Sequence, residues 1–469
     1  MRRDLRLGAV ALVWALAQPA GATDLVQAWQ AALNNDKAHA VARASHAAAQ
    51  PRRDQATSLW RPNVGLSASV GLASNQTEVT GAQFSAPGLG SSTGVGFNTS
   101  VNNGTASRWA VSAVQPLYNP ERRAQQQQLG LSVDAAELEW QAALQALMLR
   151  TAERYFDVAL AEETLRVQQG LLDAVQRAAT EVRDRFELGS APVTDTFEAQ
   201  ARLAGIRAQL LLADNELQQK RNLLADSTGL PAAALTPRLP AASPSDPASN
   251  LPSWPATRPL DAWIADAQAG NPGLRLQRLA AEVARQEAAK YSVSSSARVD
   301  LVAQVSRDHL SGNGDFGAAS NLGTHHAIGV QLTIPLFTGG WRDAKQGEAL
   351  LLADKAVAEV DNTRQQVAQQ VRSAWLGLAV GAERVQALTL ALKASASRRE
   401  ATQLGHQVGH RTTLDLLNAE NDSAAARLTL AQARTVLWLD RLRLAALVGQ
   451  LDEAALRSVA QDMTAPAGQ

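Results

Sequence analysis

The chain has 469 residues, and its 44 Lys and Arg residues balance 44 Asp and Glu residues at pH 7. No long block of one charge sign occurs, so the sequence lacks the basic surface that nucleic-acid binding needs, and nucleic acid is excluded as a partner. The absence of cysteine excludes a disulfide framework, thiolate metal sites and cysteine nucleophiles.

Residues 1–22 are predicted to be a cleaved secretory signal peptide. Three arginines precede an apolar stretch over residues 7–16, and residues 20–22 form a small-x-small cleavage pattern. A short membrane anchor is the alternative, but a spanning helix needs about 20 apolar residues. We therefore expect a mature envelope protein that begins near Thr23.

The remaining sequence contains one unit twice. Gly189 aligns with Gly409 at an offset of 409 − 189 = 220 residues, and Asp195 aligns with Asp415 at the same offset. The ungapped offset also pairs Tyr155 with Trp375, Glu163 with Glu383, Arg207 with Arg427, Leu217 with Leu437, Arg221 with Arg441 and Gly229 with Gly449. Such persistence indicates duplication.

The duplication predicts a first repeat over residues 23–230 and a second over 260–450. Residues 231–259 between them hold eight of the chain's 18 prolines, which is typical of a linker because proline disrupts helices. Residues 451–469 are predicted to be a C-terminal tail that is loose from about Ser458.

Each repeat begins with a predicted helix, over residues 24–60 in the first and about 260–296 in the second. Pro51 and Pro272 are predicted kinks or boundaries within these helices, because proline removes a backbone donor from a helix interior.

Strand-like runs follow these helices, and residues 64–72 alternate apolar side chains with Gly and Ser, which is the period of a strand with one apolar face. β-Hairpins are predicted at about 63–115 and 297–334, with polar loops over 73–107 and 307–325. Four strands cannot close a barrel, and lipid does not tolerate open strand edges, so membrane insertion would require oligomerisation. A small soluble sandwich is the alternative.

Long helices without proline are predicted next, over about 121–188 and 342–408, and each is the first arm of a long helical hairpin, over residues 121–229 and 342–449. Each helix turns back at its tip, near Gly189 or Gly409. The first helix carries apolar residues in a heptad pattern, which is typical of a coiled coil; they are Val158, Leu165, Leu172, Ala179 and Phe186, with Val175 and Val182 three positions further on. A solvated coiled coil that only separates other domains is the alternative.

The duplicated order of helix, strand hairpin, long helix, glycine turn and helix resembles the TolC-like outer-membrane efflux proteins. Residues 186–195 and 408–419 are similar to the two periplasmic tips of that family. The resemblance implies a mostly α fold with a transmembrane β part. In it, a trimer forms one 12-stranded β-barrel, with four strands per chain, that continues into a long α-helical coiled-coil barrel.

The resemblance also implies a gate at the periplasmic tips. Arg411 would bond toward Thr194 and Asp195, and Asp415 would contribute to a ring of carboxylates that attracts cations. His406 stands where the family usually has tyrosine, and Asn418 replaces a second ring carboxylate. The tip turns at Gly189 and Gly409 would contact an adaptor protein. His406 and His410 are four residues apart, but Gly409 interrupts them, and no metal site is predicted.

The resemblance implies an outer-membrane channel of a Gram-negative bacterium that reaches into the periplasm and works passively in a tripartite exporter. Its expected partners are two further copies of the chain, a periplasmic membrane fusion protein, an inner-membrane ABC transporter reached through that adaptor, outer-membrane lipid and an exported protein. The expected system is type I secretion of a large toxin of the adenylate cyclase-haemolysin kind.

Three other functions are alternatives to this one. A drug or metal efflux duct is the alternative within transport. A periplasmic coiled-coil adaptor is the alternative outside it, and it predicts one hairpin and an inner-membrane anchor. No set of catalytic side chains stands out, so no enzyme activity and no cofactor are predicted.

Overall fold

The computed structural model describes residues 24–88, 90–237, 239, 258–292, 297–315 and 317–464. The signal peptide and most of the proline-rich linker lie outside these residues. The described elements are α1 Leu25–Asn35, α2 Lys37–Ala47, α3 Gln50–Ser58, β1 Asn63–Ala86, β2 Gly90–Tyr118, α4 Pro120–Glu187, α5 Val193–Thr228, α6 Leu260–Gly270, α7 Pro272–Lys290, β3 Arg298–Gly314, β4 Gly317–Thr333, α8 Trp341–Gln407, α9 Thr413–Leu447 and α10 Glu453–Thr464.

The described chain forms two compact units. Ala48–Ala136 and Arg278–Glu359 form one unit, which contains the sheet, and the rest of the described chain forms a helical unit. Each unit contains residues from both sequence repeats, so the boundaries of the repeats differ from the boundaries of the compact units. Within the described residues, no helix combines the length and apolar content that a transmembrane helix needs.

The first predicted helix is in fact three helices, because it breaks at Asp36 and again at residues 48–49, just before the predicted boundary at Pro51. Asp36 has an extended backbone with φ −62° and ψ 124°, and its carboxylate accepts the backbone N–H of His39 at 2.9 Å. Asn271 acts in the same way between α6 and α7, where its side-chain oxygen accepts the N–H of Leu274 at 3.0 Å. Aspartate and asparagine favour such caps because their short side chains reach the free N–H groups of the next helix.

The sheet is antiparallel in the order β1-β2-β3-β4, and its strands are longer than predicted. The loops predicted at 73–107 and 307–325 are wrong, because β1 and β2 stay paired as far as Ala86 and Gly90. The strands β3 and β4 likewise stay paired as far as Gly314 and Gly317. The polar composition of these segments is typical of loops, but main-chain hydrogen bonds hold a ladder together whatever the side chains are.

One face of the sheet carries a band of exposed apolar side chains. Leu66 and Leu72 of β1 are 74% and 86% exposed, and Ile328 of β4 is 77% exposed. The cross-strand pairing places Leu66 opposite Val111 and Val111 opposite Val305, so the band crosses the sheet. In the described sheet, β1 and β4 each pair on one side only, and both outer edges are open.

In the helical unit, the C-terminal helix α10 is part of the hydrophobic core. Leu456, Val459 and Ala460 of α10 are 0%, 1% and 5% exposed, and they join a cluster with Leu25 of α1 and Trp438 of α9. The prediction of a loose tail from Ser458 is therefore wrong as far as the structure describes this segment. The apolar residues follow a helical spacing, so α10 buries one face against its neighbours.

The buried stripe on α4 is wider than the predicted heptad seam. Leu171, Val175, Ala178 and Val182 are at most 5% exposed, whereas Phe186 is 43% exposed. Leu172 and Ala179 are half-buried. The stripe widens because α4 packs on more than one neighbour: Leu171 and Val175 share a cluster with Ile206 of α5 and Leu417 of α9.

Candidate gate at the tips of the helical hairpins

Both helical hairpins turn at a glycine in the left-handed backbone region. Gly189 has φ +73° and Gly409 has φ +80°, and a Cβ atom at either position would meet nothing within 4 Å. The N–H of Ser190 donates to the carbonyl of Arg185 at 2.8 Å, and His410 donates to Gly405 at 2.8 Å. These bonds close the carbonyl ends of α4 and α8. Glycine is needed here for its backbone conformation and not for space.

A reciprocal cap at Thr412 starts the helix that follows the second tip. The Thr412 hydroxyl accepts the N–H of Asp415 at 3.1 Å, and the Asp415 carboxylate accepts the N–H of Thr412 at 3.1 Å. Hydrogen bonds to the Asp415 carboxylate from the backbone and then the side chain of Thr412, and after them the nearby Arg411, lower the pKa of Asp415 below its usual value. Asp415 therefore stays ionised at neutral pH, as a ring carboxylate would need, while it also caps α9.

The first tip lacks this cap, because Pro192 occupies the cap position and has no side-chain acceptor. Its acidic residue is Asp195 in the first turn of α5, where its Oδ1 accepts the Thr194 hydroxyl at 3.4 Å. The structure therefore brings together Thr194 and Asp195 as neighbours within one tip. The two tips are related in sequence but differ in how their returning helices begin.

His406 is buried where three helices meet. Its side chain lies near the end of α8, and the residue is 3% exposed. Nε2 lies 3.2 Å from the Thr413 hydroxyl of α9, and Nδ1 lies 3.9 Å from Glu181 of α4. Glu181 also pairs with Arg185 at 2.7 Å. His406 thus links the two hairpins of one chain at their tips.

Asn418 forms a second link between the hairpins. Its Oδ1 accepts a hydrogen bond from Nη2 of Arg202 on α5 at 2.6 Å. Leu417 and Ile206, the apolar neighbours of this bond in the sequence of α9 and α5, belong to one buried cluster and are each 3% exposed. The Asn418 side chain is therefore already bound by an arginine of the same chain.

Arg411 is exposed in the turn, where its N–H donates to the Gly405 carbonyl at 3.1 Å. In the single chain that the structure describes, no hydrogen bond or ion pair joins its guanidinium to Thr194 or Asp195. The contact that the resemblance implies for Arg411 therefore stays a prediction, to be sought between copies of the chain.

Sequence reasoning missed Arg202, Glu181 and Thr412 as tip residues. The pattern Thr412-Thr413-Leu414-Asp415 is a threonine followed three residues later by an acid, and this signal could have identified the cap. No local signal identifies Arg202 or Glu181, because their partners lie more than 200 residues away in the sequence.

The chain is similar to known outer-membrane proteins over nearly its whole length. Residues 28–230 and 263–450 match the profile of a family described as outer membrane efflux protein. The chain is 26% identical to outer membrane protein TolC of Vibrio cholerae serotype O1 over 97% of each chain. It is also 26% identical to the alkaline protease secretion protein AprF of Pseudomonas aeruginosa, over 75% of this chain and 71% of that protein.

A solved structure has the same fold. The outer membrane protein VceC of Vibrio cholerae matches with a TM-score of 0.69 at 19% identity, over 91% of this chain and 97% of that one. The protein is thus a TolC-like efflux channel component of the Gram-negative outer membrane that extends into the periplasm, and not an enzyme. By its sequence match over both repeats and by its fold, the chain belongs to the outer membrane efflux protein family.

Proposed function

We propose that three copies of this chain form one duct, in which twelve strands close a barrel and the helical hairpins continue it. The open outer edges of β1 and β4 carry this proposal. A sheet with one exposed apolar face and two free edges cannot rest in lipid alone, because each unpaired backbone group there costs several kcal/mol. Joining β4 of one copy to β1 of the next removes every edge.

The duct would serve a type I secretion system that exports a large protein, of the kind represented by adenylate cyclase-haemolysin toxins. The secretion role in the name of the AprF relative supports protein export. An adaptor and an inner-membrane ABC transporter would complete the assembly, with the adaptor at the tips near Gly189 and Gly409. A drug or metal efflux duct is the second candidate, and the efflux role named for the family favours it.

The gate would be formed by two kinds of contact at the tips. Arg202–Asn418 and His406–Glu181 would hold the two hairpins of one chain together. Arg411 would bond to Thr194 and Asp195 of a neighbouring copy, and three copies of Asp415 would attract cations to the opening. An adaptor that pulls the tips apart would break these polar contacts.

Deletion of the gene tests the choice of substrate. A type I exporter predicts that a large secreted protein stays inside the deletion strain while its sensitivity to drugs and metal ions is unchanged. Complementation with the wild-type gene controls for effects on neighbouring genes. Normal secretion together with increased drug or metal sensitivity would refute the secretion proposal in favour of the efflux duct.

Conductance in a planar bilayer tests the gate. The wild type is expected to give small, cation-selective currents, and Arg411→Ala is expected to increase them, because a closing contact is lost. Arg364→Ala is the matched control, since Arg364 lies within α8, far from the tip, and among the described residues pairs only with its helix neighbour Asp361 at 3.2 Å. Equal currents for wild type and Arg411→Ala would remove Arg411 from the gate.

A further inference from the structure

A cavity of about 670 Å³ lies in the helical unit, between α4, α8, α9 and the junction of α6 with α7. Its volume is in the range of pockets that bind small organic molecules. Most of the residues that line it are apolar or glycine, and the only charged ones are Asp440 and Arg443. All of the lining residues belong to one compact unit of one chain.

The cavity lies on the side of α9 that faces away from α1 and α10. Trp438 of α9 is 1% exposed and shares a core cluster with Leu25 of α1 and Leu456 of α10. Successive residues of an α-helix are turned by about 100°, so Asp440 lies about 200° around α9 from Trp438. The cavity therefore opens on the face of α9 that this core does not cover.

The charged groups at the cavity include one carboxylate more than their cation can balance. Nη1 of Arg443 donates to Oδ1 of Asp440 at 3.2 Å, and Nη2 donates to Oε1 of Glu153 at 2.9 Å. Among the described residues, Arg443 is the only ion-pair partner of either carboxylate. Burial raises the pKa of Asp440 above its usual value, although the hydrogen bond and the charge of Arg443 act in the opposite direction. A second positive charge beside Asp440 would stabilise its ionised form.

The second oxygen of Asp440 extends to the opposite wall of the cavity. The Asp440 side chain is 16% exposed, and its Oδ2 reaches α8 where Gly377 leaves space, since a Cβ atom at Gly377 would lie 2.5 Å from Oδ2. No hydrogen bond to Oδ2, and none from the side chains of Gln145 and Gln370, occurs among the described residues. The cavity thus presents a charged acceptor and two amide groups beside apolar surface such as Leu149.

We propose that this cavity binds an amphipathic organic cation with a single positive charge. The charged group of the ligand lies beside Oδ2 of Asp440, and its apolar part lies against Ala146, Leu149 and Ala374. A carboxylate among apolar walls selects such a cation, because the walls take up its apolar surface while the two charges balance. An anion would meet the unbalanced carboxylate, and a hydrated metal ion would find too few oxygen ligands. The proposal goes beyond the duct and does not depend on it, since one chain supplies the whole cavity.

Tetraphenylphosphonium and tetraphenylborate test the proposal, because these two ions have nearly the same shape and opposite charges. Equilibrium dialysis of the detergent-solubilised protein measures how much of each ion is bound, and dialysis of the detergent alone gives the background. We expect saturable binding of one tetraphenylphosphonium ion per chain and much weaker binding of tetraphenylborate. Equal binding of the two ions, or no saturable binding of tetraphenylphosphonium, would overturn the proposal.

Two variants locate the bound ion. Asp440→Asn removes the charge but keeps the oxygen that accepts from Arg443, and it should weaken tetraphenylphosphonium binding on the order of tenfold. Asp422→Asn is the matched control and should bind as the wild type does, because Asp422 also lies on α9 and pairs with Arg398 at 2.9 Å but does not line the cavity. Ala146→Phe should abolish binding, because Ala146 is exposed in the cavity wall and the larger side chain fills the space. Unchanged affinity in Asp440→Asn, or an equal loss in Asp422→Asn, would contradict the site.

Separate measurements distinguish failure of this site from failure of the duct. The melting temperature shows whether Ala146→Phe is folded, and Asp440→Asn, which changes no side-chain volume, decides the question if it is not. A conducting trimer that binds no tetraphenylphosphonium would overturn the cation site and leave the duct standing. A monomer that binds the ion but gives no conductance would overturn the duct and leave the cation site standing.

Discussion

Replacing Asn418 with leucine should open the duct by loosening the two hairpins of each chain. The change keeps the size of the side chain but removes the oxygen that accepts from Arg202 at 2.6 Å. A hydrogen bond to a charged group contributes about 1.5–3 kcal/mol, and both residues are half-exposed, so screening places the loss near the lower limit. About 1.4 kcal/mol is a factor of ten in an equilibrium. We therefore expect the equilibrium constant between closed and open channel to shift roughly tenfold towards the open state for each chain that loses the bond.

Single-channel recording in planar bilayers measures this change as open probability. Asn418→Asp is the matched control, because a carboxylate accepts from Arg202 more strongly and should reduce the open probability instead. Arg202→Met should reproduce the leucine variant, and the double variant should be no more open than either single one, since both remove one bond. If Asn418→Leu and Asn418→Asp shifted the open probability in the same direction, the bond would not hold the gate closed.

Three further predictions concern stability. Thr412→Val should lower the free energy of unfolding by about 1 kcal/mol in chemical denaturation, because the α9 cap is lost, whereas Thr412→Ser should have little effect; equal losses would contradict the capping role. Truncation before Glu453 should lower the melting temperature, because two core side chains, Leu456 and Val459, are each worth about 1.5–3 kcal/mol; an unchanged melting temperature would exclude α10 from the core. Burial, followed by the nearby Arg43, lowers the pKa of His39 and outweighs the opposing effect of Asp36. As the pH falls, the unfolded chain therefore binds a proton at His39 before the folded chain does. The contribution of neutral His39 to the free energy of unfolding is present above about pH 6.5 and is lost as pH falls below it. His39→Gln should flatten the pH dependence of the melting temperature in this range, and an unchanged profile would count against His39.

The main organisation of the chain follows from the sequence, because it depends on local chemistry. Glycines at 189 and 409 specify the left-handed turns, and the proline-free segments before them form single long helices. The apolar alternation from Val64 to Leu72 specifies a strand. Each of these signals acts through the backbone of a few neighbouring residues, and the duplication makes each signal appear twice.

The length of the strands and the burial of the C-terminal helix depend on contacts with other parts of the chain. Residues 73–86 have a loop-like composition, yet they are strand because β2 provides a ladder beside them. The tail residue Leu456 is buried because α1, α4 and α9 form a core that it can join. A local composition cannot report a partner that lies elsewhere in the chain.

The tip residues divide in the same way. The sequence by itself determined the turn glycines and the position of Asp415 in the first turn of its helix. Only the tertiary structure revealed that Arg202 holds Asn418 and that Glu181 lies beside His406. Turns and caps depend on dihedral angles and bonds within a few residues, whereas contacts between hairpins depend on how the long helices pack, and that is set by the whole chain.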